Sequence, residues 1–123
     1  RMRLDGVFAP LPTPFDDEGR VDQHRLRAAL PHWVDSPLTG FVMLGTNGEA
    51  GLLSEGEAAA VIATARAGIP AGRLLIAGAA RESTLHTIAA VKTAAELGAD
   101  AVIVRTPMYF KGQMNGASLE RYY

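Results

Sequence analysis

The sequence predicts an α/β fold of parallel β-strands joined through helices, and three observations carry that reading. Short apolar runs stand at Val7–Pro10, Gly40–Leu44, Leu74–Gly78 and Ala101–Val104. Most of them are apolar at consecutive rather than alternate positions, the pattern of strands covered on both faces. Segments of helical period separate them, so strand and helix alternate strictly, and alternation implies parallel strands linked by right-handed crossovers.

Each connecting segment carries its own signals. The first helix places Leu26, Ala29, Leu30, Trp33 and Val34 on one stripe with Asp22 as N-cap. Pro31 falls inside that stripe and, lacking an N–H, is expected to kink or shorten the helix. The second opens with the capping-box pattern Ser54-Glu55-Gly56-Glu57 and aligns Ala58, Val61, Ile62 and Ala65. The third runs from a Ser83 or Thr84 cap through Leu85, Ile88, Val91 and Ala95 to Gly98, where a left-handed C-terminal residue belongs. A polar loop then leads to the start of a fourth helix near Ala117.

Two architectures fit this order. One is an open doubly wound sheet, favoured by the length of 123 residues. The other is part of a (β/α)₈ barrel, which usually takes about 250 residues. Composition narrows the function classes without deciding between them. A net charge of −1 with scattered Lys and Arg supplies no basic face for nucleic acid. The chain has no cysteine, hence neither a disulfide framework nor a thiolate metal site, which fits a cytoplasmic protein. The start, Arg1-Met2-Arg3-Leu4-Asp5, lacks the apolar run of a signal peptide, and no stretch approaches membrane-spanning length. His24, His32 and His86 share no ligand spacing and are read as surface or packing residues, so neither metal nor cofactor is expected.

In both architectures function collects at the C-terminal ends of the strands, so the four loops that follow them are where chemistry belongs. Loop one, Leu11-Pro12-Thr13-Pro14-Phe15, is stiffened by its prolines and leaves Thr13 to reach a ligand. Loop two, Gly45-Thr46-Asn47-Gly48-Glu49, sets hydroxyl and amide side chains between glycines. Its successive N–H groups fit a concave site for a small anion such as a carboxylate, and equally a plain Gly/Asn turn. The dinucleotide fingerprint G-x-G-x-x-G and the P-loop are both missing. Loop three holds Arg81 and Glu82, expected to pair with each other. Loop four, Arg105 to Gly112, carries Tyr109, a proton relay or an interface residue.

Taken in order, these loops resemble the dihydrodipicolinate synthase / N-acetylneuraminate lyase family of class I aldolases. The match rests on Gly6 with Thr13-Pro14-Phe15, on Gly45–Glu49, on Ile76-Ala77-Gly78 with Ser83-Thr84, and on Gly98-Ala99-Asp100-Ala101 leading to Thr106-Pro107-Met108-Tyr109. The resemblance implies the N-terminal half of a (β/α)₈ TIM barrel, residues 1–123 forming part of one domain. It also implies a 2-oxo acid held as a Schiff base on a barrel lysine. Thr46 would then serve both the proton relay and the substrate carboxylate, Asn47 would bind carboxylate or second substrate, and Tyr109 would complete a partner subunit's site in a homodimer or homotetramer. The pair Thr46-Asn47 is similar to the Ser-Asn form of 4-hydroxy-2-oxoglutarate aldolases, whose reaction yields pyruvate and glyoxylate. Other family condensations or dehydrations, dihydrodipicolinate synthesis among them, remain alternatives. So does a half-barrel that binds 2-oxo acids without turnover, since Lys92 and Lys111 both read as surface residues. Arg105 departs from the apolar residue usual before Thr-Pro, as either a carboxylate clamp or a surface charge. A flavodoxin-like regulator would need an acidic cluster at the strand ends, which is missing.

Overall fold

A computed structural model describes residues 3–123. Arg1 and Met2, part of the start read above as free of a leader's apolar run, lie outside the described residues. Four strands, β1 (Phe8–Pro10), β2 (Gly40–Met43), β3 (Leu74–Gly78) and β4 (Ala101–Ile103), form one sheet in the order of the chain. Every pairing is parallel, with Ala9 opposite Phe41, Met43 opposite Ala77 and Ala77 opposite Val102. The helices are α1 (Gln23–Val34), α2 (Glu55–Gly68), α3 (Thr84–Glu96) and α4 (Gly116–Tyr122). No described helix is long and apolar enough to cross a membrane.

Burial explains the consecutive apolar runs and where they end. Phe41, Met43, Leu75 and Ala77 are fully buried in one core with Leu26, Leu30, Val61 and Ala65 of α1 and α2. Val42 and Ile76, on the opposite face, are buried as well. Two-sided cover therefore holds for the central strands. It does not hold for β1 and β4, where Pro10 and Ile103, on the face away from α1 and α2, are exposed.

The helix termini follow the sequence signals. Asp22 accepts the Arg25 N–H, Ser54 and Glu57 form the full capping box, and Ser83 accepts the His86 N–H. Gly98 takes φ 86°, while its N–H reaches the Ala95 carbonyl and that of Ala99 reaches Ala94, the paired bonds of a Schellman motif. Pro31 does not end α1, which continues to Val34. Only one N–H is lost, and the buried anchors Leu26 and Leu30 precede it.

The face of α3 differs from expectation. Thr87, Ala90 and Ala94 are buried, whereas Leu85 and Ile88 are 74% and 47% exposed. Two causes set the rotation. Small alanines let the helix approach the sheet closely, and the Thr87 hydroxyl is fixed by the Arg81 N–H at 3.0 Å and by the Tyr122 hydroxyl at 2.9 Å. Hydrophobic spacing alone cannot see a polar anchor of this kind.

One contact sets the exit of β2. Leu44, buried, adopts left-handed backbone (φ 57°), and its carbonyl lies so close to Gly78 that a Cβ there would sit 1.8 Å from it. Gly78→Ala is therefore expected to cost at least about 3 kcal/mol of unfolding free energy, because the neighbour is backbone and cannot yield. Urea denaturation checks this. Stability within about 0.5 kcal/mol of the parent would contradict the packing described.

Candidate active site

The four loops leave the sheet on one edge, as parallel strands require. In loop two the Gly48 N–H bonds to the Gly45 carbonyl at 3.1 Å and the Glu49 N–H to the Thr46 carbonyl at 3.0 Å. The left-handed residues are Leu44 and Glu49, and neither Gly45 nor Gly48 has positive φ. The glycines of the loop thus do not make its left-handed bends. Gly48 is needed for closeness instead, since a Cβ on it would lie 3.2 Å from the Leu11 carbonyl of loop one. What remains open to solvent is the loop's tip. Thr46 and Asn47 are exposed, their side chains bond to nothing among the described residues, and the N–H groups of Gly45, Thr46 and Asn47 likewise have no acceptor there. Three successive free donors beside a hydroxyl and an amide can hold one carboxylate.

Thr13 does not reach for a ligand. Its side chain is buried and its hydroxyl donates to the Gly48 carbonyl at 2.7 Å, pinning loop one to loop two. A hydroxyl next to a buried carbonyl is worth more as a satisfied bond than as a free group.

Arg81 and Glu82 do not pair with each other, and the structure corrects that expectation too. Consecutive residues in an extended exit point apart, and each finds a partner on a neighbouring unit. Arg81 makes a two-pronged ion pair with Glu55 at the start of α2, at 2.6 and 2.7 Å, and its carbonyl accepts the Tyr122 hydroxyl of α4 at 2.9 Å. Glu82 accepts the Met108 and Tyr109 N–H groups, both at 2.8 Å, and pairs with Arg105 at 3.2 Å. That bond gives Arg105 its place, as a loop tie rather than a free clamp. No spacing rule flags Glu55, Thr87 or Tyr122. The signal that could have found Glu55 and Thr87 is the βα repeat itself, which brings the start of each helix to the same edge; Tyr122, at the end of α4, carries no such signal.

Tyr109 is 79% exposed, and its ring meets Phe110 edge-to-face at 4.8 Å. It borders a cavity of about 410 Å³ shared with Glu82, Ser83, Pro107, Phe110 and Tyr122. Thr46 and Asn47 are not among the lining residues, so the sequence-named residues share an edge of the sheet without meeting. Lys92 and Lys111 are exposed, on α3 and in loop four. The histidines are exposed on α1 and α3, and among the described residues no three metal-ligating side chains cluster.

The loop ties also set charge states. The Arg81 guanidinium holds the Glu55 carboxyl below its ordinary range, and the Tyr109 and Met108 N–H groups, with Arg105, hold Glu82 low. Both acids release protons more readily folded than unfolded, so their contribution is present above the ordinary carboxylate pKa and is lost as pH falls through the folded value. Glu55→Gln is expected to flatten part of the acid limb of stability between about pH 5 and about pH 2. Urea midpoints across that window test it, and an unchanged slope would contradict the Glu55–Arg81 bond.

Comparison with known proteins supplies the lineage. The family described as Dihydrodipicolinate synthetase family matches residues 3–123. A 4-hydroxy-tetrahydrodipicolinate synthase of Brucella abortus is 39% identical over 92% of this chain. The chain spans only 39% of that relative's length. Among solved structures, a dihydrodipicolinate synthase family protein from Coccidioides immitis is 35% identical (TM-score 0.80), covering 85% of this chain and 35% of the other. A prophage protein of the dihydrodipicolinic acid synthase family from E. coli K12, in complex with pyruvate, is 25% identical (TM-score 0.88), covering 98% of this chain and 40% of the other. Their extent agrees with the expected N-terminal part of a (β/α)₈ barrel. From the order of its loops, its parallel sheet and these matches, the chain belongs to the dihydrodipicolinate synthetase family.

Proposed function

We propose that residues 1–123 form the N-terminal part of a (β/α)₈ Schiff-base lyase acting on pyruvate-type 2-oxo acids. The observation that carries the reading is the set of free N–H donors at Gly45, Thr46 and Asn47, with two unengaged polar side chains at the C-terminal end of β2. A 2-oxo acid offers a carboxylate to that cradle and a carbonyl to an amine. The amine attacks the carbonyl, water leaves, and the resulting iminium accepts the electron pair of the neighbouring C–C bond as it breaks. Thr46 then stands where its hydroxyl passes protons to and from that centre.

The nucleophilic lysine is placed on a barrel strand outside residues 1–123, because an activated lysine needs desolvation and both Lys92 and Lys111 are exposed. Tyr109, exposed beside Met108 and Phe110, fits a role in completing a second subunit's site in a homodimer or homotetramer. Asn47, following Thr46, favours 4-hydroxy-2-oxoglutarate, cleaved to pyruvate and glyoxylate. The second reading is dihydrodipicolinate synthesis, favoured by the name of the Brucella relative.

Borohydride reduction in the presence of pyruvate is expected to add irreversible mass at one lysine of the complete protein and none at Lys92 or Lys111. No adduct would overturn the Schiff-base reading. Asn47→Thr is expected to leave the adduct intact and to lower kcat/KM for 4-hydroxy-2-oxoglutarate about tenfold or more, the loss of one good polar contact. Unchanged kcat/KM would remove Asn47 from substrate choice.

A further inference from the structure

Glu82 contributes no ligand group to the site proposed above, yet among the described residues no other carboxylate binds so many groups of a distant loop. Its Oε2 accepts two consecutive backbone N–H groups, Met108 and Tyr109, 26 and 27 residues away, while Oε1 faces the Arg105 guanidinium. Loop four is also anchored by buried Pro107 just before this point and by the Gln113 N–H on the Phe110 carbonyl just after it. Between those anchors Met108, Tyr109 and Phe110 are exposed, and the Tyr109 ring touches Phe110 rather than the core. The Met108 and Tyr109 N–H groups are therefore both held by one carboxylate rooted in loop three. Loop three is itself rigid: Arg81 is tied to Glu55 of α2, and the Arg81 N–H to Thr87 of α3.

We infer that Glu82 is a positioning residue, which aims Tyr109 by clamping the backbone N–H groups of loop four while loop three stays fixed on α2 and α3. The inference deepens the lyase reading, on which its catalytic consequence rests. Two N–H donors on one carboxylate oxygen define a direction as well as a distance, which a lone ion pair between long side chains does not. Arg105 on the other oxygen keeps the carboxylate from rotating away. An amide in place of the carboxylate retains one acceptor for the N–H pair but turns donor atoms toward Arg105, so half of the clamp survives.

The test has two arms. In the 123-residue chain, amide hydrogen exchange at Met108 and Tyr109 is expected to speed up about tenfold or more in Glu82→Ala and by an intermediate factor in Glu82→Gln, with Leu75 and Ala77 unchanged. In the parent, that protection is expected to be lost only as pH falls below the ordinary carboxylate range, where Glu82 takes up its proton. In Glu82→Gln it is flat across the same pH, a profile that a purely structural side chain would not produce. In the complete protein, Glu82→Ala is expected to lower kcat for cleavage of 4-hydroxy-2-oxoglutarate while leaving its KM within about twofold, because the carboxylate cradle lies in loop two. Exchange at Met108 and Tyr109 that ignores Glu82, or a KM rise matching the kcat loss, would overturn the inference. Failure of pyruvate trapping with the exchange result intact would instead overturn the lyase reading and leave the clamp standing.

Discussion

The approach of the Leu44 carbonyl to Gly78 is the constraint from which the rest of this edge of the molecule follows. Strand β2 is buried along its length, so its chain cannot leave the sheet by spreading sideways. It turns instead over the bare backbone at the end of β3, in a left-handed conformation normally left to glycine. Burial of the Leu44 side chain offsets the strain of that turn. Beyond the turn, the N–H groups of Gly45, Thr46 and Asn47 have no acceptor among the described residues. The turn that precedes these free donors results from packing one strand further along the sheet, which is why loop two cannot be understood alone.

Loop three plays the mechanical part. It touches units on both sides, through two residues of opposite charge that face away from each other. Thr13 does the same service between loops one and two with a single hydroxyl. The edge is therefore a row of neighbours, each fixed by the next, and the groups left unpaired at loop two are the ones a ligand can use. Buried polar atoms tell the same story from the other side: among the described residues every buried side-chain nitrogen or oxygen has a partner.

The fold was readable in the sequence because its signals are local. Strand runs, caps at Asp22, Ser54 and Ser83, and Gly98 as a left-handed stop each depend on residues within a few positions of one another. Loop two was readable as a candidate for the same reason. What escaped was set by contacts across βα units. Thr87 turned α3 away from its apolar stripe, Gly78 gave the close approach that lets β2 turn, and Arg81 and Glu82 ignored each other for partners 26 residues distant. Thr13 misled because a threonine between prolines looks free until the carbonyl above it is known.

In the proposed function, loop two cradles the carboxylate of a 2-oxo acid through consecutive backbone donors. Titration of the isotope-labelled chain with pyruvate, followed by amide chemical shifts, is expected to give saturable shifts concentrated at Gly45, Thr46 and Asn47. Shifts that saturate around the Tyr109 cavity while those three amides stay still would rule the cradle out.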